Sequence, residues 1–174
     1  FFFKQQTAYE ISTRDWSSDV CSSDLIMQHP MTMIASDGRL SKPGADVPHP
    51  RNYGTFPRVL GEYVRVQKVL TLEAAVQKMT GLPAKRMGLA DRGCIREGCA
   101  ADVTVFDAAT VADKGTFDNP HQYPVGIEYV LVNGEAVVDG GKFTAARAGR
   151  VLRDRKSTRL NSSHEWISRM PSSA

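Results

Sequence analysis

The chain is 174 residues long, 41% hydrophobic and 24% charged, with a formal net charge of +3. That length allows one ordinary domain with a core and excludes a complete (β/α)8 barrel enzyme, which takes about 250 residues. No apolar run approaches the roughly 18 residues of a membrane-spanning helix, the charge is too small to single out a nucleic-acid partner, and three cysteines make no disulfide scaffold, which leaves a reduced, cytoplasmic setting as the default.

In chain order, the first segment is residues 1–25, whose Ser/Asp-rich stretch carries no helical or strand period; residues 154–174 are equally aperiodic. Codons that can encode Asp15–Leu25, read on the opposite strand, encode Asp154–Ser163, and the DNA word resembles a sequencing adapter. Both ends are therefore expected to be non-native, adapter-like tails without ordered structure, leaving residues 26–153 as a portion of a longer protein. Met31–Ser36 is a short apolar run stopped by Asp37-Gly38, which fits a strand buried on both faces in a parallel sheet. Residues 38–54, with three prolines and three glycines, form a loop. Thr55 is the expected N-cap of a helix presenting Phe56, Val59, Leu60, Tyr63 and Val64, and Thr71 that of a second helix presenting Leu72, Ala75, Val76 and Met79. A further turn runs from Pro83 to Met87. Then the period changes to alternation: strands are predicted at 101–106, 127–132 and 135–138, the last two joined by the hairpin signal Asn133-Gly134.

Few residues carry chemistry. Asp37 follows the apolar run; a carboxylate at the end of a barrel strand can ligate a metal or move a proton for metal-bound water, while spacing alone favours a turn aspartate bonding its own backbone. Arg51 and His49 lie in the Pro48-His49-Pro50-Arg51 loop. Arginine's planar fork suits a carboxylate, although on local evidence a solvated loop residue is the commoner case. Cys94 and Cys99 lack the second ligand pair of a zinc site and read as small buried residues of the β unit, with structural zinc as the alternative. His121 is a loop histidine with no evident partner.

Five stretches in this order are similar to the C-terminal portion of the D-aminoacylases (N-acyl-D-amino-acid deacylases) of the amidohydrolase superfamily. They are Met33–Gly38, His49–Arg51 with Gly54–Gly61, Lys78–Leu89, Gly98–Asp107, and Val132–Gly134 with Asp139–Gly141. The resemblance implies an α/β fold. Residues 26–89 would be the end of a metal-bearing (β/α)8 barrel, with 31–36 as its last strand, and residues 90–153 part of a small β-sandwich. It implies hydrolysis of an N-acyl-D-amino acid to a carboxylate and a D-amino acid, with zinc as cofactor and a small molecule as partner rather than nucleic acid or membrane. Asp37 would be a zinc ligand and the acid/base, Arg51 the anchor of the substrate's α-carboxylate, and His49 a neighbour in that pocket. The family's His-x-His pair, bridging cysteine and later histidines have no counterpart, and one carboxylate cannot hold zinc; this chain by itself is expected to be inactive and, with an unpaired barrel strand, poorly soluble. The alternatives are a non-catalytic β-rich binding module folding from about residue 90, or a dihydroorotase- or hydantoinase-like cyclic amidohydrolase.

Overall fold

In the computed structural model, which describes residues 22–39, 41 and 46–152, a helical half precedes a small antiparallel sheet. The first helix, α1 (Ser22–Gln28), carries Asp24 in its first turn, where the helix dipole favours an anion, and buries Met27 in the core. Ser22–Leu25 are thus helical, a correction to the expectation that the whole of 1–25 lacks order; α1 has an apolar residue to hold it against the core. Residues 1–21 and 154–174 of the two expected tails lie outside the described residues, as does residue 153.

Met31–Ser36 pairs with no strand among the described residues, contrary to the strand expected there. Its burial alternates: Thr32, Ile34 and Ser36 are half-buried, while Met31, Met33 and Ala35 are exposed. The apolar run is that of a strand with two covered faces, but a parallel strand needs neighbours in its own sheet. What it finds instead is α3 (Leu72–Met79), where the Ile34 amide donates to Lys78 O at 3.1 Å.

Helix α2 (Arg51–Arg58) starts four residues before the expected cap. Pro50 already has helical dihedrals (φ −52°), and the His49 ring nitrogen Nδ1 accepts the Arg51 amide at 3.1 Å, so the helix end needs no later cap. Thr55 sits inside the helix, its hydroxyl donating to Arg51 O at 2.9 Å. Pro57 has no N–H for the helical ladder, and beyond it the helix widens into a π-helical stretch, Val59–Val66, whose end shows the Gln67 amide donating five residues back to Glu62 O. Thr71 caps α3 as expected, accepting the Ala74 amide at 3.2 Å, and α4 (Gly81–Arg86) supplies the predicted further turn.

The core lies between the π-helical stretch, α3 and the connection 107–126. Val59, Ala75 and Val111 are fully enclosed there, with Tyr63, Leu60, Leu70 and Met27 around them. Val111 is reached by a close approach of backbones. A Cβ on Gly61 would lie 2.7 Å from Val111 O, and one on Gly126, which has φ +75°, would lie 2.6 Å from Val111 N. Lys78 is buried too. Its ammonium donates to His29 O, Thr32 O and the Thr32 hydroxyl, so the charge leaves water only with three acceptors around it.

The sheet is a four-stranded meander, β1 (Val103–Phe106), β2 (Ile127–Val132), β3 (Glu135–Asp139) and β4 (Lys142–Phe143), each antiparallel to the next. Asn133 and Gly134 both have positive φ (51° and 87°), the pair of left-handed residues that a tight two-residue hairpin requires. The predicted strands and this turn are observed; β4, set off by a second such turn at Gly140-Gly141, is an addition to them. Among the described residues this is one sheet with no second sheet facing it. A bulge between Val105 and Phe106 brings Phe106 opposite Ile127, and both pack on the helical core.

Candidate active site

The three residues singled out in the sequence meet at the start of α2. Arg51 is the first residue of that helix, and its guanidinium holds Asp37 twice: Nη2 lies 2.7 Å from the carboxylate Oδ2, and Nε donates to the Asp37 carbonyl at 3.1 Å. Asn52 holds the next step of the same turn, its amide nitrogen donating to Arg39 O at 2.9 Å and its carbonyl oxygen accepting the Arg39 amide at 3.3 Å. Asp37 takes a positive φ (48°), a conformation that Asp tolerates better than most residues and that lets Gly38 turn over Asn52. The Asp37 side chain stays 68% exposed while Arg51 is 23% exposed. An ion pair this open to water contributes about 0–1 kcal/mol, so it can exchange partners at little cost.

His49 stands on the other side of Arg51. Its Nδ1 is occupied by the Arg51 amide, and its ring meets the edge of Phe117 at 5.0 Å between centroids. One turn further along α2, the Tyr53 hydroxyl lies 2.9 Å from His121 Nδ1, and His121 Nε2 lies 2.9 Å from Asp46 O. A carbonyl can only accept, so in the neutral ring Nε2 carries the proton and Nδ1 accepts from Tyr53. His121 therefore has two partners, contrary to the sequence reading. They stand 68 and 75 positions away, a separation over which no local pattern signals a contact. Below this layer Arg58 pairs with Asp113 at 3.3 Å, tying α2 to the connection that follows β1.

The cysteines are elsewhere. Cys94 is exposed and Cys99 half-buried in the loop between α4 and β1, a correction to their reading as buried residues of the β unit. Among the described residues, no group of three or more His, Cys, Asp or Glu side chains could hold a metal ion. A catalytic zinc takes three protein ligands and a water. Asp37 offers one carboxylate that is already engaged by Arg51, so these residues do not by themselves fit zinc.

Comparison with known proteins defines the class of the chain. The amidohydrolase family pattern covers residues 17–138, and the chain belongs to that family. It is 54% identical over 128 residues to the N-acyl-D-glutamate deacylase of Alcaligenes xylosoxydans xylosoxydans, a match covering 74% of this chain and 25% of that protein. A crystal structure of a D-aminoacylase superposes with a TM-score of 0.70 at 50% identity, covering 75% of this chain and 27% of the other. The N-acyl-D-glutamate deacylase of Bordetella bronchiseptica, solved with zinc and a phosphonate mimic of the tetrahedral intermediate, gives a TM-score of 0.61 at 52% identity, covering 66% of this chain and 23% of that one. The chain thus spans about a quarter of the length of the relatives it matches, and its mixed α/β architecture is part of theirs.

Proposed function

We propose that this chain is the C-terminal part of a zinc-dependent N-acyl-D-amino-acid deacylase, supplying the substrate-anchoring edge of its active site. Residues 26–89 belong to the end of the barrel, with 31–36 as the strand that completes it, and 90–153 to the accompanying β-sandwich. The observation that carries the reading is the Arg51–Asp37 pair, 2.7 Å apart and open to solvent. Arg51 can exchange the Asp37 carboxylate for the α-carboxylate of a substrate, since both present the same two oxygens to the guanidinium fork. Asp37, released, takes the proton of the water that attacks the acyl carbonyl and passes it to the departing nitrogen, giving a carboxylate and a free D-amino acid. His49 orients Arg51 by holding its backbone amide. Asp37 would be one of several ligands to the zinc, which would supply an activated water. The packing of Phe106, Val111 and Ile127 into the helical core supports this reading over a binding module folding from about residue 90.

The test is a hybrid enzyme in which residues 26–152 replace the matching quarter of the Alcaligenes deacylase. The reading predicts zinc-dependent release of D-amino acid by the hybrid and none by the 174-residue chain assayed separately. A hybrid that folds and binds zinc without turnover contradicts it.

A further inference from the structure

The loop between α4 and β1 contains a pair of thiols that the deacylase reading does not use. Cys94 Sγ and Cys99 Sγ lie 3.1 Å apart, and Arg96 Nε stands 3.3 Å from Cys99 Sγ while its Nη2 is fixed on Ala90 O at 2.9 Å. Two left-handed glycines, Gly93 (φ 75°) and Gly98 (φ 84°), fold the intervening residues back so that the sulfurs meet. The loop is anchored on both sides. A Cβ on Gly93 would come within 2.6 Å of Ala84 Cβ, the close approach that seats the loop on α4. Arg92 pairs with Asp102 and donates to Asn133 Oδ1 at 3.1 Å, joining the loop to β1 and to the β2–β3 turn. A cleft of about 450 Å³, lined by Lys85, Leu89, Arg92, Cys94 and Arg96 among others, opens beside the pair.

We propose that Cys94 and Cys99 form a reversible oxidation site, closing an intramolecular disulfide in response to hydroperoxide. Cys99 is the attacking thiol. The hydrogen bond from Cys94, and then Arg96 beside it, hold its ionisation below the ordinary thiol range, whereas Cys94 is held above it. The Cys99 thiolate attacks one oxygen of the peroxide, the O–O bond breaks, and the other oxygen leaves as hydroxide, which takes a proton to become water; Cys99 is then a sulfenic acid. The Cys94 sulfur attacks the Cys99 sulfur, the S–O bond breaks, and the hydroxyl leaves as a second water with the Cys94 proton. Two thiols are oxidised by two electrons and one peroxide is reduced. A thiol reductant restores the pair. The product staples the segment that joins the helical half to the sheet.

The experiment is hydrogen peroxide titration of the full chain carrying Cys21→Ser, which leaves two cysteines. The expected result is loss of both titratable thiols with a mass decrease of about 2 Da per chain, reversed by dithiothreitol, and a cross-linked peptide joining Cys94 to Cys99. Cys94→Ser should instead accumulate a sulfenic acid on Cys99 that dimedone traps, and Arg96→Gln should lose thiols more slowly than the parent. Independent oxygen additions on the two cysteines, disulfide-linked dimers as the main product, or thiols that persist at peroxide levels that oxidise free cysteine would each overturn the proposal.

Discussion

Arg51 is the residue on which the proposed function turns. In the structure it serves the Asp37 turn through one carboxylate and one carbonyl. Its planar fork marked it in the sequence as a carboxylate-binding candidate, although local evidence alone favoured a solvated loop residue. Its pairing with Asp37 was not legible, since the two are fourteen positions apart in a loop of no regular period. Lys78 was illegible in a different way. It falls in a helix whose apolar face is evident, yet a lysine gives no sequence signal that it will be buried, and only the fold brings His29 O and Thr32 to its ammonium. Replacing it with methionine keeps the volume but strands those acceptors. Lys78→Met should therefore cost about 1–3 kcal/mol, read as a lowered urea midpoint with an unchanged slope. A midpoint equal to the parent's would mean that water satisfies the carbonyls equally well.

At the level of elements, the turn after β1 controls how Val111 enters the core. Asp107 accepts the Ala109 amide and the Thr110 hydroxyl, both at 2.8 Å, and these two bonds hold its carboxyl below the usual carboxylate range. A depressed folded-state value stabilises the fold at pH above the unfolded carboxylate value of about 3.9, and that contribution is lost as pH falls through the folded-state value. Urea midpoints measured from about pH 6 down to about pH 2 should fall less steeply for Asp107→Asn than for the parent; parallel profiles would remove Asp107 from the account. On the facing element, Gly61→Ala puts a methyl 2.7 Å from Val111 O, so the helix and the connection must separate. A loss of about 1–3 kcal/mol is expected, where an exposed helical glycine would gain from the same change. The β2–β3 hairpin was readable because Asn133-Gly134 demands a single turn geometry. The start of α2 was not: Thr55 has the chemistry of a cap, but Pro50 and His49 had already begun the helix.

Across the whole molecule, strands β1 to β3 were legible by alternation and the apolar faces of the helical stretch and α3 by spacing, whereas the segment 31–36 pairs with no strand among the described residues. Its apolar sequence is that of a strand covered on two sides, and its observed surroundings cover one. Residues of the helical half and of the sheet share one core through Phe106 and Ile127, and the chain belongs to the amidohydrolase family. The central claim is that Arg51 anchors a substrate carboxylate at the edge of a deacylase site. The most direct measurement is kcat/KM of the hybrid enzyme on an N-acyl-D-amino acid and on its α-carboxamide, for the parent and for Arg51→Met. The account predicts that the parent prefers the carboxylate and that Arg51→Met lowers its kcat/KM roughly 10- to 150-fold while leaving the carboxamide value unchanged, the loss of one charge-assisted contact of about 1.5–3 kcal/mol. Equal losses on both substrates would contradict it, and would make Arg51 a structural partner of Asp37.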